Sequence, residues 1–368
     1  MMRQIKTDVL VVGAGPAGAM LAGLLARANI DVLLVDRSSF PRDKVCGDIL
    51  TPRSLESLHR QNLLHAVEER FNPFSQIQLF SDLRADNRLV STVPSFGYIA
   101  PRLLLDQLLL DHATDAGVQF LPDVTVVRPQ IEDQQVVGAI GRQKDTELAI
   151  EAKITVSAVG SAGSFSTKLG LTKDRTPDAI AARAYFHGVK SNADTIELYY
   201  WEKFLPFYGW IIPINDQVTN VGLLMLTKHH QQINIKQAFS NFISTMSKAT
   251  DKFDQATQIN NLGAFPLRMF FDPMHCYTSG ALAVGDAAGL VDPLIGSGIG
   301  FALESAEIAA GYVIKCIQHK DYSRRALRGY GLTLLGKYQL MFKYSRLFRY
   351  CLHVPTLAGG MIKLLQYT

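Results

Sequence analysis

Gly13-Ala14-Gly15-Pro16-Ala17-Gly18 is a G-x-G-x-x-G, and Asp36, with Arg37 beside it, stands eighteen residues beyond its last glycine. Gly13 permits a tight turn, Gly15 lets the backbone approach a diphosphate, and Gly18 lets helix and strand pack closely. Free N–H groups at the helix start that opens with Pro16, from Ala17 onward, meet the anion, and Asp36 can accept from a ribose hydroxyl. A second constellation is Gly285-Asp286, followed by Gly296, Gly298, Ile299 and Gly300. Its carboxylate suits a ribityl or ribose chain, and a glycine-rich helix start exposes N–H groups that stabilise negative charge. Reduced flavin carries such charge near N1 and C2=O, so the pair of motifs suits FAD better than a nicotinamide.

Three more side chains could do chemistry. Cys46 lies with Gly47 in a loop between Lys44 and Asp48, and is either a reactive thiol or a small packed hydrophobe. Tyr208 and Trp210 are two apart and share one face of a strand, where they line a substrate cavity or fill a core. The four cysteines form no C-x-x-C pair, so neither a zinc site nor a disulfide framework is expected. His229-His230 reads as solvated surface, and no metal site is expected.

These residues need elements to position them. Val9–Val12 reads as a strand, Ala19–Arg27 as a helix and Asp31–Asp36 as a second strand ending in the acid. The uncharged run from Val9 to Ala26 is broken by glycine and proline, unlike a membrane span, and continues into a strand, unlike a signal peptide. The cytoplasm is therefore the expected location. Helices are predicted from Thr51-Pro52 onward, over Pro101–Ala116 and Ile235–Ser247, and from Ser297 onward. Short strands are predicted at Ile77–Phe80, Leu89–Thr92, Tyr98–Ala100, Val118–Leu121, Thr125–Arg128, Val136–Gly141, Glu147–Ala152 and Ile154–Ala158. Longer antiparallel ones follow at Ile180–Val189, Thr195–Trp201, Tyr208–Pro213 and Val218–Leu226, and Ala281–Val284 leads into the second motif. The pattern gives an α/β fold: a Rossmann-like FAD-binding domain (1–75, 101–175, 265–315) with an interleaved antiparallel β-sheet substrate domain (76–100, 176–264). A basic helical C-terminal tail (316–368) completes the chain.

The net charge of +4 hides an asymmetry: from Lys315 onward there are ten Lys or Arg and a single acid, so residues 1–314 are net acidic. Lys337–Leu352 interleaves cations with Tyr and Phe. Such a helix either docks on an anionic membrane surface or packs on the flavin domain with a solvated basic face. No nucleic-acid module is apparent.

Over about residues 5–315 the chain resembles the FAD-dependent oxidoreductases of the aromatic-hydroxylase fold, and among them the geranylgeranyl reductases. Gly13–Gly18, Asp36, Arg102 in "PRLLLDQLL" and Gly285-Asp286 match the flavin-binding pattern of the superfamily. "KVCGDILTPRSLESL" and "PFYGWIIP" are similar to the loop and strand of the reductases. The resemblance implies that Arg102 approaches the flavin, that Asp286 holds the ribityl chain and that Cys46 lies beside the isoalloxazine. Val159 stands where an Asp is usual. The implied activity is reduction of an isoprenoid double bond, with a hydride from reduced FAD and a proton from a nearby acid. Monooxygenation is the alternative, and halogenation the third, since Tyr208 replaces the first Trp of the halogenase strand. Electrons would come from visiting NAD(P)H or from a separate reductase.

Overall fold

The computed structural model describes residues 2–81, 88–172, 176–202, 205, 208–227, 234–352 and 354. The His229-His230 pair and the chain beyond 354 lie outside the described residues, as do the side chains of 88–91. The first sheet runs β16 (Tyr277–Thr278), β17 (Ala281–Ala283), β9 (Thr146–Ser157), β1 (Met2–Val12), β2 (Val32–Val35), β6 (Gln119–Leu121). From β17 to β6 these strands are parallel. The antiparallel pair β7 (Val124–Glu132) and β8 (Gln135–Gln143) extends from β9. Val9–Val12 is buried throughout, as a central parallel strand covered on both faces must be. The two strands expected over 147–158 are one, because β9 keeps a single register with β1 from Glu147 to Ser157.

Among the described residues the α-helices include α1 (Pro16–Arg27), α2 (Pro52–Arg60), α3 (Leu64–Arg70), α4 (Arg102–Asp115), α5 (Phe165–Lys168), α6 (Ile235–Ala249), α7 (Ile299–His319) and α8 (Arg324–Leu352). α1 packs against both α4 and α7. This draws helix starts from distant parts of the chain toward the same end of the sheet.

The second sheet runs β14 (Thr257–Gln258), β10 (Ala179–His187), β13 (Val218–Leu226), β12 (Gly209–Pro213), β11 (Thr195–Tyr200), β4 (Asn72–Ser81), β5 (Arg88–Ile99), β3 (Ile49–Leu50), with β15 (Gly263–Leu267) also on β10. The strands expected over 77–100 merge into one long hairpin, β4 and β5. One face carries α6, so closely that a Cβ on Gly209 would stand 2.5 Å from the Phe242 ring. Alternation along β12 turns Trp210 and Ile212 the other way, into a separate cluster with Phe74, Ile196 and Leu224.

The tail is not a free appendage. Tyr330, Leu334, Tyr338 and Phe342 on α8 are fully buried in the core of the first sheet. Phe342 meets Phe301 of α7 edge-on at 5.2 Å. Glu304 of α7 accepts from Arg53, Lys337 and Tyr338, tying α2, α7 and α8 together.

Candidate active site between the two sheets

β1 ends at Val12, and Gly13 turns with φ +106 so close to the next strand that a Cβ would sit 2.4 Å from the Ala158 carbonyl oxygen. Asp36 braces this turn: one carboxylate oxygen accepts from the Ala14 N–H at 2.7 Å and the other from the Ser38 N–H at 2.9 Å. Gly15 caps α1 without a side-chain acceptor, and the first turn carries no acid, so its N–H groups stay free for an anion. A Cβ on Gly15 would lie 3.6 Å from the Arg42 guanidinium and 3.8 Å from that of Arg102. Both cations are aimed by Asp106, which accepts from Arg42 and from Arg102 at 2.7 Å each. Free N–H groups and two aligned guanidiniums over a glycine turn are what a diphosphate requires.

At the far side, Gly285–Ala288 forms a 3-10 turn that presents Asp286. Ser161 Oγ donates to Asp286 at 3.4 Å, and Lys44 Nζ stands 3.9 Å from it. A Cβ on Gly298 would come within 2.8 Å of the same carboxylate. α7 then starts at Gly298, again with no side-chain cap and no acid in its first turn. Two uncapped helix starts with an acid between them fit a flavin dinucleotide, and Gly13, Gly15, Arg42, Arg102 and Asp286 would hold it.

These groups border one cavity of about 720 Å³. Of the site residues expected from sequence, Gly13, Gly15, Pro16, Ala17, Asp36, Arg37, Cys46, Gly47, Arg102, Tyr208, Trp210, Asp286, Gly296, Gly298 and Ile299 line it. Gly18 and Gly285 do not; they are packing glycines, the first under Gly13 and the second against Ala17 and Ala302. Val159 lines the wall. The charged residues of the lining, Asp36, Arg37, Arg42, Asp43, Lys44, Arg102 and Asp286, all come from outside the strands of the second sheet. The sheet end is built from Ile49, Phe74, Ile77, Ile196, Leu198, Ile212 and Leu224 around Tyr208 and Trp210.

Tyr208 donates to the Ile295 carbonyl at 2.6 Å, and burial pushes its hydroxyl far above the ordinary phenol range. It also lies within electrostatic reach of Cys46. The Cys46 thiol is half-buried by surface area; burial first, and then the Asp48 charge, push it up, while Arg102 and Lys44 oppose. At neutral pH it is a thiol.

Sequence reasoning missed Asn220 and Arg42. Asn220 accepts from Trp210 Nε1 at 2.9 Å and donates to the Cys46 carbonyl at 2.9 Å and to Asp48 at 2.7 Å. The signal available was an amide inside the apolar run "VTNVGLLML", since a buried amide must find partners. Arg42 carried no such mark.

Comparison with known proteins agrees with this geometry. The FAD binding domain family matches residues 6–318. A digeranylgeranylglycerophospholipid reductase of Methanocella arvoryzae is 27% identical, over 90% of this chain and 84% of that one. A menaquinone reductase of Mycobacterium tuberculosis is 30% identical, over 83% and 76%. The solved structure of a geranylgeranyl bacteriochlorophyll reductase-like protein from Thermoplasma acidophilum superposes with a TM-score of 0.87 at 22% identity, covering 98% of this chain and 92% of that one. Among the described residues no helix is long and apolar enough to cross a membrane.

Proposed function

The chain belongs to the FAD binding domain family and is an FAD-dependent oxidoreductase, and we propose that it reduces carbon–carbon double bonds of an isoprenoid lipid. The observation that carries this reading is the division of the cavity lining: every charged residue comes from outside the second sheet, whose own strands contribute mainly aliphatic and aromatic side chains and no charge. The first sheet and its helices would serve as the flavin-binding domain and the second sheet as the substrate domain. The names of the two reductases above, each acting on a lipid, support the same substrate class.

Bound FAD supplies the hydride. The protein's share is to place an apolar chain, keep water out and deliver a proton. Ile77, Ile196, Leu198 and Leu224 offer no hydrogen bond, so they favour a hydrocarbon over a polar substrate. Tyr208, fixed on the Ile295 carbonyl, and Trp210, fixed on Asn220, form a rigid aromatic wall. Cys46 Sγ holds the proton to be passed to the substrate carbon, and its raised ionisation keeps it protonated at neutral pH. One G-x-G-x-x-G followed by an acid is present, so NAD(P)H or a reduced carrier visits rather than resides.

Oxygen separates reduction from monooxygenation on this fold. The FAD-loaded protein is reduced without oxygen and given a polyprenyl lipid in one experiment and O₂ alone in another. The reductase predicts that the lipid restores the oxidised flavin spectrum and gains two hydrogens. A lipid that leaves the flavin reduced, but is oxygenated once air is admitted, would reverse the assignment.

We also propose that α8 docks the protein on an anionic membrane surface. Opposite its buried face, Leu340, Tyr344, Leu347 and Phe348 are exposed, Leu340 to 62%, with Lys343 and the half-buried Arg346 along one edge. This fits an in-plane helix with apolar side chains in the acyl boundary and cations at the headgroups. Binding to phosphatidylglycerol vesicles should be worth about 1 kcal/mol per engaged cation and weaken with salt. Leu340→Glu with Leu347→Glu should abolish co-sedimentation and leave FAD bound. These substitutions leave Tyr338 and Phe342 in the core. Wild-type protein that stays in the supernatant at low salt ends this proposal.

A further inference from the structure

Asp48 is fully buried, yet it carries a carboxylate and a left-handed backbone, φ +61. Asp tolerates that conformation better than most residues. Its side chain is gripped from separate elements. Tyr185 OH of β10 donates to Oδ2 at 2.7 Å, Asn220 Nδ2 of β13 donates to the same oxygen at 2.7 Å, and the Arg102 N–H of α4 donates to Oδ1 at 3.3 Å. Its carbonyl accepts from the Ala100 N–H at 2.6 Å. In front of it, the backbone N–H of Asp48 faces the Cys46 sulfur. Behind it, Arg183 lies over the Tyr185 ring at 4.1 Å and is itself paired with Asp43.

We propose that Asp48 is the positioning residue of the Cys46 loop: anchored by Tyr185, Asn220 and Arg102, it fixes the turn that presents the thiol to the cavity. The anchor reaches the aromatic wall as well, because Asn220 holds Trp210, the Cys46 carbonyl and Asp48 together. One buried amide thus registers the thiol against the strand it faces across the cavity.

Asp48 meets Arg183 and Tyr185 from β10, Asn220 from β13 and Arg102 from α4. Burial pushes its carboxyl up to about 6, with those donors and cations opposing, so it is ionised at pH 8. The groups facing the Cys46 thiol are Asp48, Arg102 and Lys44, with Tyr208 across from it. Burial first, and then the anionic Asp48 carboxylate, hold Cys46 in its thiol form, while Arg102, the Asp48 N–H and Lys44 oppose them.

The role of Cys46 as proton donor rests on the function proposed above, but the link from Asp48 to Cys46 is read from the thiol itself, so failure of either is distinguishable. The test follows alkylation of Cys46 by iodoacetamide against pH in the FAD-loaded protein, with the Cys46 peptide identified by mass spectrometry. Asp48→Asn keeps the shape and tolerates the left-handed backbone while removing the charge. Its alkylation midpoint should fall, giving about tenfold more thiolate at pH 8. Asp48→Gly meets the same backbone demand without any anchor. It should show the same fall and a higher limiting rate, as the loop loosens. A residue that only stabilises the fold would lower the melting temperature of both variants and leave the midpoint in place. A midpoint unchanged in Asp48→Asn, or in Asp48→Gly should the asparagine variant not fold, overturns the proposal.

Discussion

Gly18→Ala should yield a protein that retains no FAD through desalting and is destabilised by about 3 kcal/mol. The new Cβ would lie 1.8 Å from the Gly13 carbonyl oxygen and 3.1 Å from Ala158 Cβ. Neither can retreat: Gly13 is already in a conformation only glycine accepts easily, and Ala158 follows a strand paired to β1. Helix α1 must therefore move off the sheet and carry its free N–H groups away from the diphosphate. Gly311→Ala, at an exposed position of α7, is the control, since nothing lies within 4 Å of its Cβ. That change should be neutral or stabilising by up to about 1 kcal/mol. Flavin absorbance after desalting and thermal melts of both variants decide it. A Gly18→Ala protein that holds FAD as wild type does would mean that α1 is not packed as described.

Cys46→Ala is expected to keep FAD and lose turnover by about 10²-fold, the usual worth of one positioned proton donor. Retention follows because the glycine turn, Arg42 and Arg102 would hold the diphosphate, and none of them depends on the thiol. The pH profile carries the sign. A thiol donates only when protonated, and burial with the Asp48 charge raises its ionisation above the ordinary value. Turnover should be flat through neutral pH and fall only on the alkaline side. In Asp48→Asn that fall should begin at lower pH. If Cys46→Ala turns over within about twofold of wild type, the sulfur is packing and the proton comes from elsewhere.

Both arguments turn on features that differ in how far the sequence reveals them. The first glycine motif is legible because its parts are local: strand, turn and helix start are contiguous, and steric rules for glycine do not depend on the rest of the chain. Asp286 and the glycines after it are legible for the same reason. Alternation along a strand put Tyr208 and Trp210 on one face, but not on which side of the sheet that face lies. α6 decides that, by covering Gly209 and Ile211 and leaving the aromatics to the cavity. The tail shows the same limit. Composition marked α8 as basic and aromatic, and periodicity admitted both a docked helix and a membrane-facing one. The structure divides the residues instead, burying Tyr338 and Phe342 against Phe301 while exposing Leu340 and Leu347. Arg42 carried no mark in the sequence, and for Asp48 and Asn220 the sequence named the residues without their partners. Their partners come from elements up to 174 residues apart, and a polar side chain acquires its meaning only when folding removes water and leaves it those partners alone.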